Sequence, residues 1–461
     1  MTSPPSDRDD AFVETAGAVA WPIDKSEFQA AMDSLCLPPG GRMVVACSGG
    51  PDSMALAFLM KRWGDGDGRG VHALIVDHGL RRESAVEAAE TKARLNGLGI
   101  PSDILTYDGP RPDSDIQAAA REIRYRLITS WMERTGDTAL FLAHHQDDQA
   151  ETFMLRLGRG SGVDGLSGMA PVTNRGVVTL YRPLLTFPKA RLIATLAEAG
   201  VAHADDPSNR SDAFARVRLR GLMDTLASEG MTPERLAGTA ARMARVRRAL
   251  DCIRDRFLDR HASVHPAGFA VVDPAALSEQ PEEISLRVLS HLIRLVVARD
   301  YPPREAHVSG LLSALGAEAP FTGRTLAGVT AAPWRRKLLL CREAAAIAPP
   351  VALADGAVWD GRFRIILRSG GVGMSVGALG ADGVRQAKQL VPDAISALPA
   401  IVRPGLPAIR SGDRLICVPH LGFAVRRDVP DGEIAPVVPF GAKSRGNRPE
   451  VPFSNTPQDL I

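Results

Sequence analysis

Between residues 42 and 220 the apolar positions follow two alternating rhythms. Met43–Ala46, Val71–Val76, Ser102–Thr106 and Thr138–Ala143 are short runs with the length of buried strands. Between them lie longer stretches with helical spacing: Asp52–Trp63, Ser84–Asn96, Asp115–Glu133 and Asp147–Leu157. In the third of these, Ile116, Ala119, Ile123 and Leu127 are expected to share the buried face. Strands alternating with helices predict βαβ units and a parallel sheet covered on both faces. A short helix near Ser26–Leu35 precedes this block. Val177–Leu185 reads as one more strand, and Pro188–Ala199 as a helix with proline in its first turn.

The pattern then changes. Ala213 to about His261 is largely helical. Residues 262–342 mix a strand at Phe269–Val272, a helix at Ile284–Ala298 and a strand pair at Thr325–Thr330 and Lys337–Cys341. Ala344–Pro350 (AAAIAPP) has the composition of a linker, 351–430 is rich in glycine and strand formers, and the polar tail after Gly441 is expected to be disordered. The expected organisation is a leader over 1–40, an α/β domain over 41–220, a helical connector with an α+β domain over 221–345, a small β-rich domain over 346–440 and a tail over 441–461.

Composition narrows the function classes. The 461 residues are 45% hydrophobic and 23% charged, with a formal net charge of +2, as expected of a globular chain and not of a disordered one. No apolar run approaches the roughly 18 residues that span a bilayer, and the N-terminal MTSPPSDRDD lacks an apolar segment of the secretory kind. Five isolated cysteines (Cys36, Cys47, Cys252, Cys341, Cys417) point to a reducing compartment, and to neither a disulfide framework nor a paired C-x-x-C metal site. A cytoplasmic protein with no membrane partner is expected. Only seven of the 55 basic residues are lysine, leaving 48 arginines. Arginine suits phosphate binding, although base composition of the genome explains such a bias equally well. Residues 216–260 hold eleven arginines against six acidic residues, a net +5.

Candidate chemistry gathers where strands end. Ser48-Gly49-Gly50-Pro51-Asp52-Ser53 lies between the first strand and its helix. Small residues there let backbone N–H groups converge on an anion, and the helix N-terminus adds positive potential. No lysine follows the glycines, so this is not a Walker A loop and no γ-phosphate cradle of that type is indicated. Asp77-His78-Gly79-Leu80-Arg81 follows the second strand, and His144-His145-Gln146-Asp147-Asp148 follows a later one, running on to Glu151. Ligands of open parallel sheets bind outside the carboxyl ends of the strands, so three such clusters are expected to share one crevice. Asp148 and Glu151 are one helical turn apart and suit an amine or a metal ion. Their alternative reading is a simple preference for a helix N-terminus.

The S-G-G-x-D-S loop resembles the signature of the PP-loop (N-type) ATP pyrophosphatases. The likeness is greatest to the lysidine-forming branch of that family. It is carried by Ser48–Ser53, Asp77–Arg81, Arg121-Glu122-Ile123-Arg124-Tyr125, His144–Thr152, Arg159–Met169, Arg182-Pro183-Leu184-Leu185, Asp206-Pro207-Ser208-Asn209 and Arg216-Val217-Arg218-Leu219-Arg220, in that order over residues 42–220. The branch commonly has Asn where this chain has Val217. The resemblance implies a Rossmann-like PP-loop domain over 41–220, then a helical and α+β domain, then the small β-rich one. It implies ATP-dependent ligation of L-lysine to C2 of the wobble cytidine in an isoleucine tRNA with a CAU anticodon, through an adenylated tRNA, which switches decoding from AUG to AUA.

By the same resemblance Ser48, Gly49, Gly50, Pro51, Asp52, Ser53, Asp77, His78, Arg124 and His144 bind ATP, Asp52 holds Mg²⁺, and Asp52, Asp148, Glu151 and Arg216 are catalytic. The chemistry sets a demand on such a site. An amine of pKa about 10.4 is neutral in about one molecule in 2,500 at pH 7, so reaching the nucleophile costs ~4.6 kcal/mol unless the site accepts the proton. The Arg216–Arg260 stretch, and more weakly Arg335-Arg336-Lys337 beside Trp334, suit phosphates of the tRNA. A homodimer stays open. The main alternative is a tRNA thiolation enzyme of the same family, which would normally need paired cysteines. An ammonia-using synthetase and a non-catalytic nucleotide- or RNA-binding module are the others.

Overall fold

The computed structural model describes residues 14–15, 18–79, 84–109, 116–204, 215–299, 301–424, 430–437 and 451–453. It divides into two compact units, 1–248 and 249–461.

In the first unit, β1 (Met43–Ala46), β2 (Val71–Asp77), β3 (Ser102–Thr106), β4 (Ala139–Phe141), β5 (Val172–Arg175) and β6 (Val178–Tyr181) form one sheet in the order β3-β2-β1-β4-β6-β5. All neighbours are parallel except the edge pair β5–β6. Helices α1 (Lys25–Asp33), α2 (Pro51–Asp67), α3 (Ser84–Gly97), α4 (Ile116–Thr135), α5 (Gln146–Leu157), the single turn α6 (Val163–Leu166) and α7 (Lys189–Glu198) connect and cover it.

Strand residues alternate between two cores, because successive side chains point to opposite faces. Val45, Ala73, Ile75, Phe141 and Tyr181 pack with α1, α2, α3 and α7. Val44, Leu74, Leu140, Val178 and Leu180 pack with Ile128, Trp131 and Met132 of α4. The buried face of α4 therefore lies over its aromatic C-terminal half, and Leu127, counted from aliphatic spacing as core, is only half-buried.

Beyond α7, α8 (Ala215–Ser228) and α9 (Pro233–His261) supply the predicted helical stretch. Leu236 and Ala240 of α9 pack on Ala150 and Phe153 of α5. The strand expected over Val177–Leu185 is shorter, Val178–Tyr181, and leaves the ladder before Arg182-Pro183, where proline has no N–H to give. Sequence periodicity did not reveal β5, whose burial alternates weakly at an exposed edge.

The second unit contains β7 (Ala262–His265), β8 (Phe269–Val272), α10 (Pro274–Ser278), α11 (Glu282–Val297), α12 (Glu305–Leu315), β9 (Arg324–Leu326), β10 (Val329–Trp334) and β11 (Lys337–Arg342). Its first sheet is antiparallel, β9-β10-β11-β8-β7. Thr325–Thr330 is not one strand. The chain turns at Ala327 and Gly328, both with positive φ (50° and 81°), and Val329 starts the strand that pairs with β11. Downstream lie a five-stranded and a four-stranded antiparallel sheet and the helix Gly380–Leu390. One core here joins Phe269, Leu339 and Cys341 to Leu379, Leu398, Leu406 and Val418. The tail after Gly441, expected to be disordered, contains a strand at Val451–Phe453 that pairs with Asp431–Pro436, and 438–450 and 454–461 lie outside the described residues.

Candidate functional site

The sheet order reverses between β1 and β4, which are hydrogen-bonded neighbours through Val44–Leu140 and Val45–Phe141. The loops leaving these two strands, 47–50 and 142–145, flank the switch point where open α/β sheets take their ligands.

The first loop is held from within. The Ser53 hydroxyl accepts from the Ser48 N–H (3.1 Å) and donates to the Gly50 carbonyl (3.0 Å). Gly49 is buried with φ 83°, and a Cβ there would lie 2.2 Å from the Thr91 hydroxyl of α3, so only glycine fits. Its carbonyl accepts from the Ala204 N–H (2.8 Å). Gly50 caps α2 without a side chain and Pro51 opens the helix, which leaves the first-turn N–H groups facing the crevice.

The second loop starts α5, where Asp148 accepts from the His145 N–H (3.1 Å). His145 joins the two loops. Its ring is 3.6 Å from Asp52, 3.4 Å from Asp147 and 3.5 Å from Asp148. Burial pushes the imidazole pKa down, but hydrogen bonding to Asp147 and Asp52 and the charge of Asp148 outweigh it and lift it to about 10. The ring is therefore a buried imidazolium at neutral pH. Burial likewise pushes the carboxyls of Asp52 and Asp147 up, and His145 reverses the sign, holding both below the ordinary range. Asp147 also accepts from the Lys189 N–H at the start of α7 (2.8 Å). The Lys189 ammonium itself reaches Asp52 (3.7 Å).

Glu151 is nearly buried, its side chain 3% exposed, and its carboxylate accepts from the Arg220 guanidinium of α8. Asp148 lies 4.0 Å from the same group. Asp52, Asp148 and Glu151 are thus brought together with Ser48–Ser53. His145 and Arg220 lay within motifs read from the sequence but received no role there, and Lys189 was not singled out. His145 carried no sign of three acidic neighbours, and Lys189 follows an ordinary helix-starting proline.

The remaining candidates divide. Asp77 is buried, and its carboxylate accepts from the Gly79 N–H (2.9 Å) and the Ser84 hydroxyl (2.6 Å), so it shapes the loop that carries His78. His78 Nε2 lies 3.3 Å from Arg124 of α4. Burial and that guanidinium push its pKa down, which keeps the ring neutral. His144 is half-buried beside His145. Arg216 lies in α8, but its side chain is outside the described residues, as are Arg81 and Asp205–Asn209. Arg182 is buried, donating to the Ala170 carbonyl (2.8 Å) and the Thr173 hydroxyl (2.9 Å), and serves the β5 edge. The 159–169 segment is tied to α5 by Gln149, which exchanges two hydrogen bonds with Met169 (2.8 and 2.6 Å), and by Arg156, which donates to Gly165 and Gly168.

The donor set suits a nucleotide and a hard cation. Asp52 Oδ1 is buried and accepts no hydrogen bond among the described residues. No cluster of three or more His, Cys, Asp or Glu that could hold a metal occurs among them. A cation here would share Asp52 with phosphate oxygens. No described helix is long and apolar enough to cross a membrane.

Comparison with known proteins gives the family. The family described as the PP-loop domain matches residues 23–226, and its members use ATP. The tRNA(Ile)-lysidine synthase of Bradyrhizobium diazoefficiens is 44% identical over 281 residues, covering 59% of this chain and 78% of that one. That of Ruegeria pomeroyi is 37% identical over 391 residues, covering 84% and 90%. Among solved structures, the U34-tRNA thiolase NcsA of Methanococcus maripaludis, with its [4Fe-4S] cluster, is similar at 17% identity and TM-score 0.41, over 49% of this chain and 77% of that one. With a glycine-rich loop and an acidic cluster joined at one switch point, and with this degree of identity over most of its relatives' length, the chain belongs to the tRNA(Ile)-lysidine synthase family.

Proposed function

We propose that this protein ligates L-lysine to C2 of the wobble cytidine of a CAU-anticodon isoleucine tRNA at the expense of ATP, in two steps within one crevice. In the first step the cytidine C2 oxygen attacks the α-phosphorus of ATP, the α–β bridging P–O bond breaks, and pyrophosphate leaves. The first-turn N–H groups of α2 and the Ser48–Ser53 loop receive the phosphates. Mg²⁺, when bound through Asp52, neutralises phosphate charge. Arg124 and Arg216 are the proposed guanidinium contacts, and His78 and His144 line the nucleotide side. In the second step the neutral ε-amine of lysine attacks C2 and AMP departs with the former C2 oxygen. A splayed loop base is required, since C2 is inaccessible within a stack.

Asp148 and Glu151 are the proposed acceptors of the lysine ammonium and its proton. Arg220 lies against both in the structure, which marks this pair as a place where a cationic group is stabilised. The observation that carries the reading is the unbroken chain of polar contacts Lys189–Asp52–His145–Asp148–Arg220–Glu151. It supports reading the phosphate loop and the amine pocket as parts of one site. Sulfur transfer is the weaker alternative. The five cysteines are isolated in sequence, and Cys47, Cys341 and Cys417 are buried, the last two with thiols pushed up to about 11 and about 12 by burial.

The test is incorporation of labelled lysine into total tRNA by the purified protein with ATP. Label should enter tRNA and depend on Asp52. Sulfur entering from a donor without lysine entering would give the site to thiolation. Asp148→Ala and Glu151→Ala should lower lysine transfer at least tenfold more than tRNA-dependent ATP–pyrophosphate exchange. Equal loss of both activities would remove the amine-binding role.

A further inference from the structure

The glycine loop has no lysine in its own sequence, yet the fold brings one to it. Lys189 is the first residue of α7, distant from the loop in sequence. Its backbone is pinned, because its N–H donates to Asp147 (2.8 Å), and Asp147 is itself held by His145. From that fixed root the side chain reaches to within 3.7 Å of Asp52, in the first turn of the helix whose N-terminus the loop caps.

Two side chains thus lie against Asp52, and they differ in freedom. The side chain of His145 is 3% exposed and enclosed by three carboxylates, whereas that of Lys189 is 40% exposed. A metal cation binding Asp52 would leave the enclosed His145 in place and displace the more exposed Lys189. Its flexible stem lets the ammonium swing about a fixed backbone.

We propose that Lys189 is a further phosphate-binding cation of this site, restored by the fold where a Walker loop would carry it in sequence. In the free protein it rests on Asp52. When nucleotide and divalent cation arrive, it passes to the oxygens of the departing pyrophosphate. It gives up no proton, and its charge offsets the negative charge that accumulates on the leaving group as the α–β P–O bond breaks. This rests on the reading of the loop as an ATP site, and the test separates the two.

Lys189→Met and Lys189→Arg, made in the full chain, would be titrated calorimetrically with ATP, AMP and inorganic pyrophosphate in the presence of Mg²⁺. The methionine variant should lose tenfold or more in affinity for ATP and pyrophosphate while its AMP affinity stays within twofold. The arginine variant should recover most of the loss. Equal weakening of ATP and AMP would reduce Lys189 to a structural ion pair and overturn the proposal, as would unchanged ATP and pyrophosphate binding. If the wild-type protein bound neither nucleotide, the ATP reading of the loop would fall, and this one with it.

Discussion

A histidine inside an α/β core is ordinarily neutral, because burial penalises the ion. His145 departs from that rule through its neighbours: Asp52, Asp147 and Asp148 surround one ring and raise its pKa from 6.5 to about 10. A group whose pKa is higher in the folded state contributes its full stabilisation below its unfolded value, and that contribution is lost as pH rises through the folded one. His145→Gln should therefore be markedly less stable than wild type near pH 6. The gap should narrow as pH climbs from about 7 to 10, read by denaturant midpoints across that range. A gap independent of pH would show the ring to be neutral. Sequence could place His145 after an apolar strand but could not supply its charge. That depends on Asp52, which reaches it only because β1 and β4 are neighbours in the sheet.

At the scale of elements, the legible parts were those where periodicity and punctuation agree. The strand at 102–106 and that at 269–272 have the limits read from sequence, and the helices agree to within a few residues. What escaped was set by partners. β5 is paired with β6 and further held by Arg182, which ties its start to the sheet edge, and the run Thr325–Thr330 breaks where Gly328 turns the chain. The two glycines of the phosphate loop look alike in sequence and differ in the fold. At Gly49 a Cβ would collide with Thr91 and φ is positive. At Gly50 the nearest atom to a Cβ is the Ser48 hydroxyl at 3.8 Å. Gly49→Ala should therefore cost about 1–3 kcal/mol from overpacking and strain, while Gly50→Ala, which meets no close atom and only replaces a favoured N-cap residue, should cost less, about 0.5–1 kcal/mol. Comparable losses at both positions in chemical denaturation would mean that Thr91 does not constrain the loop.

For the whole molecule, charge is balanced in sum and unbalanced in place. The long helix α9 carries much of the basic excess, but its arginines are not equivalent. Arg254 is committed to Asp251 and Asp255 (2.6 and 2.7 Å), and Arg247 lies against Asp164 (3.7 Å). Arg245 and Arg248 are exposed and form no ion pair shown among the described residues. A phosphate polymer is attracted by charge that is not already neutralised, and each phosphate contact steepens the salt dependence of binding by roughly 0.7–0.9 in log–log slope. The paired Arg245→Ala/Arg248→Ala variant should accordingly weaken binding of isoleucine tRNA and flatten its slope by about 1.5, with ATP affinity unchanged. Arg254→Ala should leave that slope as it is and lower thermal stability instead, because it takes the close guanidinium from both Asp251 and Asp255 and leaves Asp251 with Arg287 at 3.6 Å. Filter-binding isotherms from 50 to 300 mM salt distinguish the two. If Arg254→Ala flattened the slope as much as the pair did, the basic excess would act as a diffuse field, and the distinction between free and committed arginines would fail.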